Sequence, residues 1–478
     1  MLDCPTKPLY LLQYRQYRQY RQYSLNSGRL WRCEHFIGNF VGADHQGLII
    51  MKKVLLKNTI GFAVAVASTQ LFAAGFALNE QSISGMGTGF AGRSSSADDA
   101  STVFGNPAGM ARLKREQVTV GAAAILAKSD ISRDGSNSPG GSFDGDMVPT
   151  VGVPMGYYVK PIDDQWAVGF GIYAPFGLAT DYENGFAGRY FGSYSKVSVV
   201  TLQPTVSYAF NDKISIGFGP TINRIDGTLK SDVRSNFAGT NDGEVKISGD
   251  DTAVGYNIGV MIQATDSTRL GLTYHSMVDY KLDGKTRITG APFSVFSGTK
   301  FDASLKIKTP ESVDFSVTHE LTDDVTLYVG STWTRWSRLE DITVNNSGVP
   351  AQLGGSSGAI GTISEPQNWH DTWAHAIGAS YKVNKEWTLR TGLSVDQSPT
   401  NNEDRSPRIP TGDRTVFSLG AGWSPTEDIT VDMAYSYLME EDVKVSSSKP
   451  LAPGVNTTYN AKYENSAHGL GLGLTYRF

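Results

Sequence analysis

Residue types that could perform covalent or metal chemistry are scattered after residue 73 of this 478-residue chain. They include five histidines without metal-ligand spacing, His275, His319, His370, His375 and His468. Residues 354–358 (GGSSG) match a serine-nucleophile pattern but lie in a long polar loop without the strand-to-helix turn that the pattern needs. Residues 284–286 (GKT) lack the leading glycine of a phosphate loop, and Asp144 and Asp146 are interpreted as solvated loop acids. We therefore expect no enzyme, no metal and no cofactor.

An export signal begins at Met51. Lysines at 52, 53 and 57 precede the apolar run 59–67, and small residues follow at 73 and 74. The apolar run is too short for a spanning helix. Residues 51–73 are therefore predicted to be a cleaved signal peptide, and the mature protein is expected to begin near Ala74.

Residues 1–50 differ from the rest of the chain. They contain the repeat YRQYRQYRQY at 14–23 and both cysteines, Cys4 and Cys33. A nucleic-acid or membrane arm is one interpretation, but an arm ahead of an export signal has no route to function, so we expect a mis-assigned upstream extension. Because the whole chain has a net charge of −5 and this segment is basic, the mature chain is more acidic still, which argues against nucleic-acid binding.

The last nine residues have the alternation of a transmembrane β-strand. Apolar residues at 470, 472, 474, 476 and 478 alternate with Gly, Thr or Arg, and the same period of two recurs around 270, 389, 419 and 433. After residue 73 no run approaches the length of an apolar spanning helix. Tyr476 and the terminal Phe478 are similar to the assembly signal of bacterial outer-membrane proteins.

Fourteen strands can be counted. They are predicted at 117–127, 148–160, 166–178, 195–210, 213–230, 253–264, 268–285, 303–321, 325–344, 371–383, 386–398, 414–423, 429–446 and 468–478. Short turns alternate with long polar loops, as in bacterial outer-membrane barrels. The fold class is therefore an all-β membrane protein: a 14-stranded antiparallel transmembrane β-barrel over 116–478, with both ends periplasmic.

Residues 74–115 precede the first strand and are rich in Gly, Ala and Ser without strand or helix periodicity. Such a segment cannot build a core, so we predict a small N-terminal plug, or hatch, inside the barrel lumen. Within it, Asn106 and Pro107 have the types of an N-cap and a first helical residue, which predicts a short helix over 108–113.

The third strand is interrupted by Pro175, Phe176 and Gly177. Proline cannot donate to a β-ladder, and glycine tolerates backbone angles that open it. We therefore expect a local loss of pairing in the barrel wall; the alternative is that the strand ends at Ala174.

Several of these segments carry a family resemblance. AGFALNE (74–80), ADDAS (97–101), NPAGM (106–110), PFGLAT (175–180), LTYHS (272–276), TWTRWS (332–337) and RTGLSVDQSP (390–399) resemble the FadL/TodX family of outer-membrane transporters. The resemblance implies uptake of long-chain fatty acids or related hydrophobic compounds across the Gram-negative outer membrane. Implied partners are that ligand, outer-membrane lipid and lipopolysaccharide, and the barrel assembly machinery, around a monomer.

The resemblance also implies roles for particular residues. Phe76 and Leu78 are expected at the ligand pocket or gate, and Asn106, Pro107 and Ala108 in gating by the hatch. Pro175, Phe176 and Gly177 would form a lateral opening into the bilayer. Lys230 and His370 are candidate contacts for a ligand carboxylate.

Three alternatives stay open. An aromatic or alkane hydrocarbon channel of the same family differs from a fatty-acid transporter only in its substrate. A general porin is disfavoured by the hatch, and an outer-membrane hydrolase by the lack of an organised Ser/His/Asp set.

Overall fold

The computed structural model describes residues 75–235, 241–452 and 455–478. The predictions for residues 1–50, for the signal peptide at 51–73 and for the first hatch residue, Ala74, lie outside the described residues.

Strands make up most of the described chain. In chain order they are β1 (Gln117–Arg133), β2 (Val151–Pro161), β3 (Trp166–Asp181), β4 (Tyr194–Ala209), β5 (Ile214–Val233), β6 (Gly243–Gln263), β7 (Thr268–His275 and Val278–Thr289), β8 (Lys300–Thr309 and Ser312–Glu320), β9 (Val325–Thr334 and Asp341–Ser347), β10 (Thr362–Pro366 and Thr372–Lys382), β11 (Trp387–Asp396), β12 (Arg414–Trp423), β13 (Ile429–Glu440 and Val443–Ala452) and β14 (Val455–Arg477).

These strands close into one antiparallel barrel. Each pairs with its sequence neighbours, and β1 pairs with β14 from Gln117 opposite Arg477 to Arg133 opposite Ala461. The described residues thus form the predicted closed barrel of 14 strands. Closure removes the free sheet edge, which a membrane-spanning sheet cannot tolerate because lipid offers its backbone groups no hydrogen bonds.

The outer ends of several strands are longer than predicted. β6 begins at Gly243 rather than at 253, β14 begins at Val455 rather than at 468, and β1 continues to Arg133 rather than ending at 127. Residues 447–467, expected to be mainly a long loop, belong largely to the paired strands β13 and β14. These extensions are polar on their outer face, so the apolar alternation that located the membrane-spanning part did not include them.

An apolar belt surrounds the outside of the barrel. On β14, Leu470, Leu472 and Leu474 are 51%, 61% and 43% exposed, whereas Thr475 is buried on the inner face. Similar exposed apolar residues occur on most of the other strands, as expected for a surface that lipid covers. No helix of the described residues is long and apolar enough to cross a membrane.

The N-terminal segment forms short helices. They are α1 (Ile83–Gly87), α2 (Thr102–Gly105) and a 3-10 helix (Pro107–Arg112), and further 3-10 turns occur in the loops at Ala291–Phe296, Trp336–Arg338, Ala351–Leu353 and Gly355–Ser357. Ser82 caps α1 by accepting a hydrogen bond from Gly85 N at 3.1 Å. Ile83 and Met86 of α1 lie beside Gly469 and Gly471 of β14, on the inner wall.

Glycines of the wall allow the plug backbone to approach closely. A Cβ atom at Gly217 would overlap the Pro107 backbone, one at Gly271 the Ser94 backbone, and one at Gly330 the Ala91 carbonyl. Comparable overlaps would occur at Gly378 and Gly392, both with the Thr88 backbone. The described part of the N-terminal segment is therefore packed against the inner wall as a plug.

Candidate functional site

β3 loses its partner on one side where it was predicted to be interrupted. Its pairing with β2 stops at Ile172 opposite Gly156, although β3 itself continues to Asp181. Its pairing with β4 shifts register between Tyr173 and Phe176. The alternative that the strand ends at Ala174 is therefore wrong. The result is a gap in β2–β3 pairing beside Pro175, Phe176 and Gly177.

The beginning of the plug pairs with this irregular part of β3. Ala77 forms an antiparallel bridge with Phe176. Leu78 N donates to Pro175 O at 2.8 Å, and Gly177 N donates to Phe76 O at 2.8 Å.

The Gln81 side chain extends this connection. Its Nε2 donates to Ala174 O at 2.6 Å, while Tyr157 Oη of β2 donates to Gln81 O at 2.9 Å. Backbone groups of β3 that lack a wall partner are thus satisfied by the plug, as buried backbone groups must be.

Phe76 is the centre of an aromatic cluster. Its ring centroid lies 5.0 Å from that of Trp336, 6.0 Å from that of Trp369 and 5.7 Å from that of Phe176. Phe76 is only 3% exposed. The cluster joins the plug, the irregular part of β3 and two loop tryptophans that the sequence interpretation did not single out.

An apolar cavity lies next to Phe76. Its lining comes mainly from the outer halves of β3 to β9 and includes Leu178, Ile225, Leu282, Ile307 and Val344. Arg408 and Ile409, from the loop between β11 and β12, complete it. A cavity of this composition suits an apolar ligand rather than a charged one.

Among the described residues that line this cavity, Arg408 is the only charged one, and its charge is compensated. Its guanidinium Nε donates to Glu365 Oε2 at 2.9 Å. Nη1 donates to the carbonyls of Tyr194 and Lys230, each at 3.1 Å. The pairing fixes the loop to the wall and leaves the cavity without an uncompensated charge.

A second, more polar cavity of about 160 Å³ lies within the lumen, and Leu78, Phe176 and Trp336 are among the residues that line it. Arg93 also lines it, and its Nη2 donates to Asn79 Oδ1 at 2.7 Å. Among the described residues Arg93 forms no ion pair within 4.0 Å. Burial raises the pKa of the nearby Glu80 carboxyl, and the Arg93 charge opposes that rise.

Asn106 connects the plug to the barrel wall. Its Oδ1 accepts from Ala108 N at 3.0 Å, which confirms the predicted cap, although the helix that follows is a 3-10 helix starting at Pro107. Its Nδ2 donates to Val260 O of β6 at 2.9 Å and to Ser94 O at 2.7 Å.

Ala108 is held by the wall in turn. Its carbonyl accepts from Ser207 Oγ of β4 at 3.2 Å and from Ser215 Oγ of β5 at 3.0 Å. The NPA segment therefore fixes one end of the plug to three adjacent strands.

Neither candidate carboxylate contact, Lys230 or His370, is among the described residues that line the apolar cavity. The Lys230 ammonium is 3.6 Å from Glu244 and 5.3 Å from the Tyr194 ring, and the His370 side chain is exposed. Arg93 and Arg414 line the lumenal cavity and Arg408 lines the apolar one, and no local sequence pattern distinguished these arginines. The carboxylate roles of Lys230 and His370 stay predictions.

Tyr476 and Phe478 lie at the end of β14 with their rings 4.9 Å apart. Both are exposed on the outer face, and Phe478 N donates to Glu116 O at 2.8 Å. Their role as an assembly signal stays a prediction.

The sequence that forms this barrel and plug matches a known family. The family model described as outer membrane protein transport protein (OMPP1/FadL/TodX) matches residues 64–478. The chain belongs to this family. It is accordingly an outer-membrane β-barrel protein.

Individual relatives in the OMPP1/FadL/TodX family are distant in sequence but similar in length. The long-chain fatty acid transport protein of Escherichia coli is 28% identical over 459 residues, covering 89% of this chain and 99% of the relative. Outer membrane protein P1 of Haemophilus influenzae is 29% identical over 469 residues, with 88% and 99% covered. The crystal structure of a Pseudomonas aeruginosa FadL homologue superposes with a TM-score of 0.75 at 25% identity, covering 85% of this chain and all of that one.

Proposed function

We propose that this protein takes up long-chain fatty acids or related hydrophobic compounds across the outer membrane. The observation that carries the proposal is the position of Phe76. It closes one side of the apolar cavity, and its own backbone pairs with β3 at the gap. One short segment thereby separates a site suited to an apolar ligand from an opening in the wall.

The proposed route begins in the apolar cavity. Ligand enters from the outer end, where the loop carrying Arg408 and Ile409 covers the cavity. Displacing Phe76 would join this cavity to the lumenal one, since both reach the Phe76–Trp336 cluster. Phe76 and Leu78 act as the gate, and the NPA segment anchors the plug while they move.

Release is proposed to be lateral, through the gap between β2 and β3. An apolar chain that leaves there enters bilayer hydrocarbon directly. A path through the periplasmic end would expose it to water first, at a cost of roughly 0.8 kcal/mol per CH₂ group.

Two substrate classes remain candidates, and a different observation favours each. Arg93 has no ion pair among the described residues and lines the lumenal cavity, which suits a fatty-acid carboxylate, since a buried carboxylate needs a charged partner. The apolar cavity has only the compensated Arg408, which suits a neutral aromatic or alkane hydrocarbon. We favour fatty acids because Arg93 lies beside Leu78 of the proposed gate.

The other candidate functions receive less support. A general porin needs an open aqueous lumen, whereas the plug here fills part of the lumen and is hydrogen-bonded to several strands. For a hydrolase, the Ser331 hydroxyl lies 2.8 Å from His375 Nδ1, but in the described part of the chain neither side chain hydrogen-bonds a carboxylate that would complete a triad. We propose that the protein acts as a monomer, assembled by the barrel assembly machinery.

Growth of a deletion strain that carries this protein tests the proposal. Oleate and a toluene-like compound are supplied as alternative sole carbon sources, and the matched control is the same strain with the empty vector. Protein-dependent growth on oleate is expected. Growth on the aromatic compound alone would establish the hydrocarbon alternative, and uptake of small hydrophilic solutes instead would favour a porin.

A further inference from the structure

A row of basic residues crosses the outer face of four adjacent strands. Lys230 of β5 lies directly opposite Lys246 of β6, Lys246 opposite Arg287 of β7, and Arg287 opposite Lys300 of β8. We call these four residues the upper basic row. Residues directly opposite in antiparallel strands share a face. Their chain neighbours Val245, Ile288 and Phe301 are buried on the inner face, so this row faces outward.

Few acidic groups lie close enough to neutralise the positive charges of the upper basic row. Among the described residues, Lys246, Arg287 and Lys300 have no acidic group within 4.0 Å, and Lys230 has only Glu244 at 3.6 Å. Like charges directly opposite each other destabilise a sheet. Nothing within the described protein therefore accounts for three successive like-charged pairs, whereas an external polyanion would make the arrangement favourable.

A second basic pair lies closer to the membrane. Lys281 of β7 is directly opposite Lys306 of β8, and neither has an ion-pair partner in the described chain. We call it the lower basic pair. It lies six residues from the upper row on both strands. At about 3.3 Å per residue and a strand tilt near 40°, the two levels differ in height by roughly 15 Å.

Acids separate the two basic levels. Asp226 of β5 lies opposite Asp250 of β6, and Asp250 lies opposite Asp283 of β7. Asp226 and Asp250 are paired with Arg224, and the neighbouring Lys285 is paired with Asp302, so among the described residues of these four strands the intermediate height carries no unpaired cation. The apolar belt ends below it, at Ile222 and Val254 on the outer face of β5 and β6. The pattern fits a membrane-anchored partner with anionic groups at two separate heights and fits a uniformly anionic surface less well.

We propose that the outer face of β5 to β8 is a binding site for lipopolysaccharide. The lower basic pair would bind phosphates of the lipid anchor at the membrane boundary. The upper basic row would bind anionic groups of the inner core sugar. This site lies on the outer face of the barrel, at and above the end of the apolar belt, and it is separate from the cavities inside the barrel, so it does not depend on the proposed uptake function.

The test measures binding of purified lipopolysaccharide to the detergent-solubilised barrel. The variant K246Q/R287Q/K300Q removes three unpaired charges, and it spares Lys230. The matched control is K128Q/K444Q/K462Q on the outer ends of β1, β13 and β14. There each lysine is already paired, with Asp130 at 2.7 Å, Asp134 at 2.9 Å and Asp442 at 2.7 Å.

The upper-row variant should bind lipopolysaccharide on the order of ten-fold more weakly than wild type, because three charge-assisted contacts are lost. The control should stay within about two-fold, since exposed pairs contribute little. Unchanged binding in the upper-row variant, or an equal loss in the control, would overturn the proposal.

A measurement on the unmodified protein keeps the proposal testable if the variant does not assemble. Wild-type barrel should bind intact lipopolysaccharide more tightly than a phosphatase-treated sample, and phosphatidylglycerol should compete weakly. Equal affinity for the intact and dephosphorylated forms would contradict a phosphate-directed site.

Discussion

The Asn106 side chain is buried, and both its amide oxygen and its amide nitrogen form hydrogen bonds. It caps the 3-10 helix through Ala108 N and donates to carbonyls of the plug and of β6. Buried polar groups that lose their partner cost free energy, so this residue holds the plug more firmly than a cap alone would.

Asn106→Ala should loosen the plug by about 1–3 kcal/mol, because the Ser94 and Val260 carbonyls lose their donor. Hydrogen–deuterium exchange of amides in 79–112 should accelerate while the barrel stays heat-modifiable on gels. Asn345→Ala, at an exposed position on β9, is the matched control. Unchanged protection of the plug would mean that its other contacts with the wall hold it without Asn106.

Substitution of Arg93 distinguishes the two candidate substrate classes, fatty acids and neutral hydrocarbons. Arg93→Gln should lower uptake of oleate by roughly ten-fold, because a buried carboxylate would lose its charged partner. Uptake of a neutral hydrocarbon should change little. Arg93→Lys keeps the charge and should retain part of the oleate uptake. Equal effects of Arg93→Gln on both substrates would remove Arg93 from carboxylate recognition.

At the scale of elements, the plug packs closely against the barrel wall at positions where the wall has glycine. Wall glycines on several strands lie where the plug backbone comes within contact distance, so their lack of a side chain sets where the plug can lie.

Gly271→Ala should displace the plug near Ser94, because the new Cβ would overlap the Ser94 backbone. Conductance through the barrel in planar bilayers should rise relative to wild type. Gly156→Ala is the matched control, since its Cβ would meet Ile172 at 3.5 Å, an ordinary contact distance. If both variants conduct like wild type, the plug tolerates the shift and its fit is looser than the structure indicates.

β3 is the strand whose pairing with β2 is incomplete, which leaves the gap in the barrel wall. The double variant Pro175→Val/Gly177→Val supplies the missing backbone donor and favours extended geometry. The gap should narrow and uptake of hydrophobic substrate should fall, with assembly intact. Uptake at the wild-type rate would exclude the lateral route and favour a path along the barrel axis.

At the scale of the whole molecule, residues about a hundred positions apart form the proposed gate. Ala77 and Phe176 are a directly opposed pair flanked by the hydrogen bonds of Phe76 and Leu78, which is the close, non-hydrogen-bonded type of antiparallel pair. Such pairs bring Cα atoms to about 4.5 Å, within the range of a disulfide.

Ala77→Cys/Phe176→Cys should therefore form a disulfide that locks the plug to β3. Uptake should be lost under oxidising conditions and return after reduction, because the proposed gate must leave β3 to open. The single variants A77C and F176C should show no redox dependence. Transport by the fully oxidised double variant would show that Phe76 and Leu78 need not move.

Much of the architecture was predictable because it depends on local alternation. In a strand that separates lipid from lumen, apolar residues must occupy every second position. This alternation, seen most clearly in β14, together with the short turns, correctly predicted fourteen strands. The cap formed by Asn106 and the interruption at Pro175 were likewise readable, since proline and asparagine act on their immediate neighbours.

Contacts between distant segments were decided only by the tertiary structure. Alternation says which face a residue occupies, but strand register sets its height and its neighbours. For that reason the pairing of Phe76–Leu78 with β3, the Arg408–Glu365 pair and the row from Lys230 to Lys300 were not apparent in the sequence. The polar outer parts of β6 and β14 were missed because no lipid demands an apolar face there. The sequence determined which segments cross the membrane, and closure of the barrel decided which side chains meet at the proposed gate.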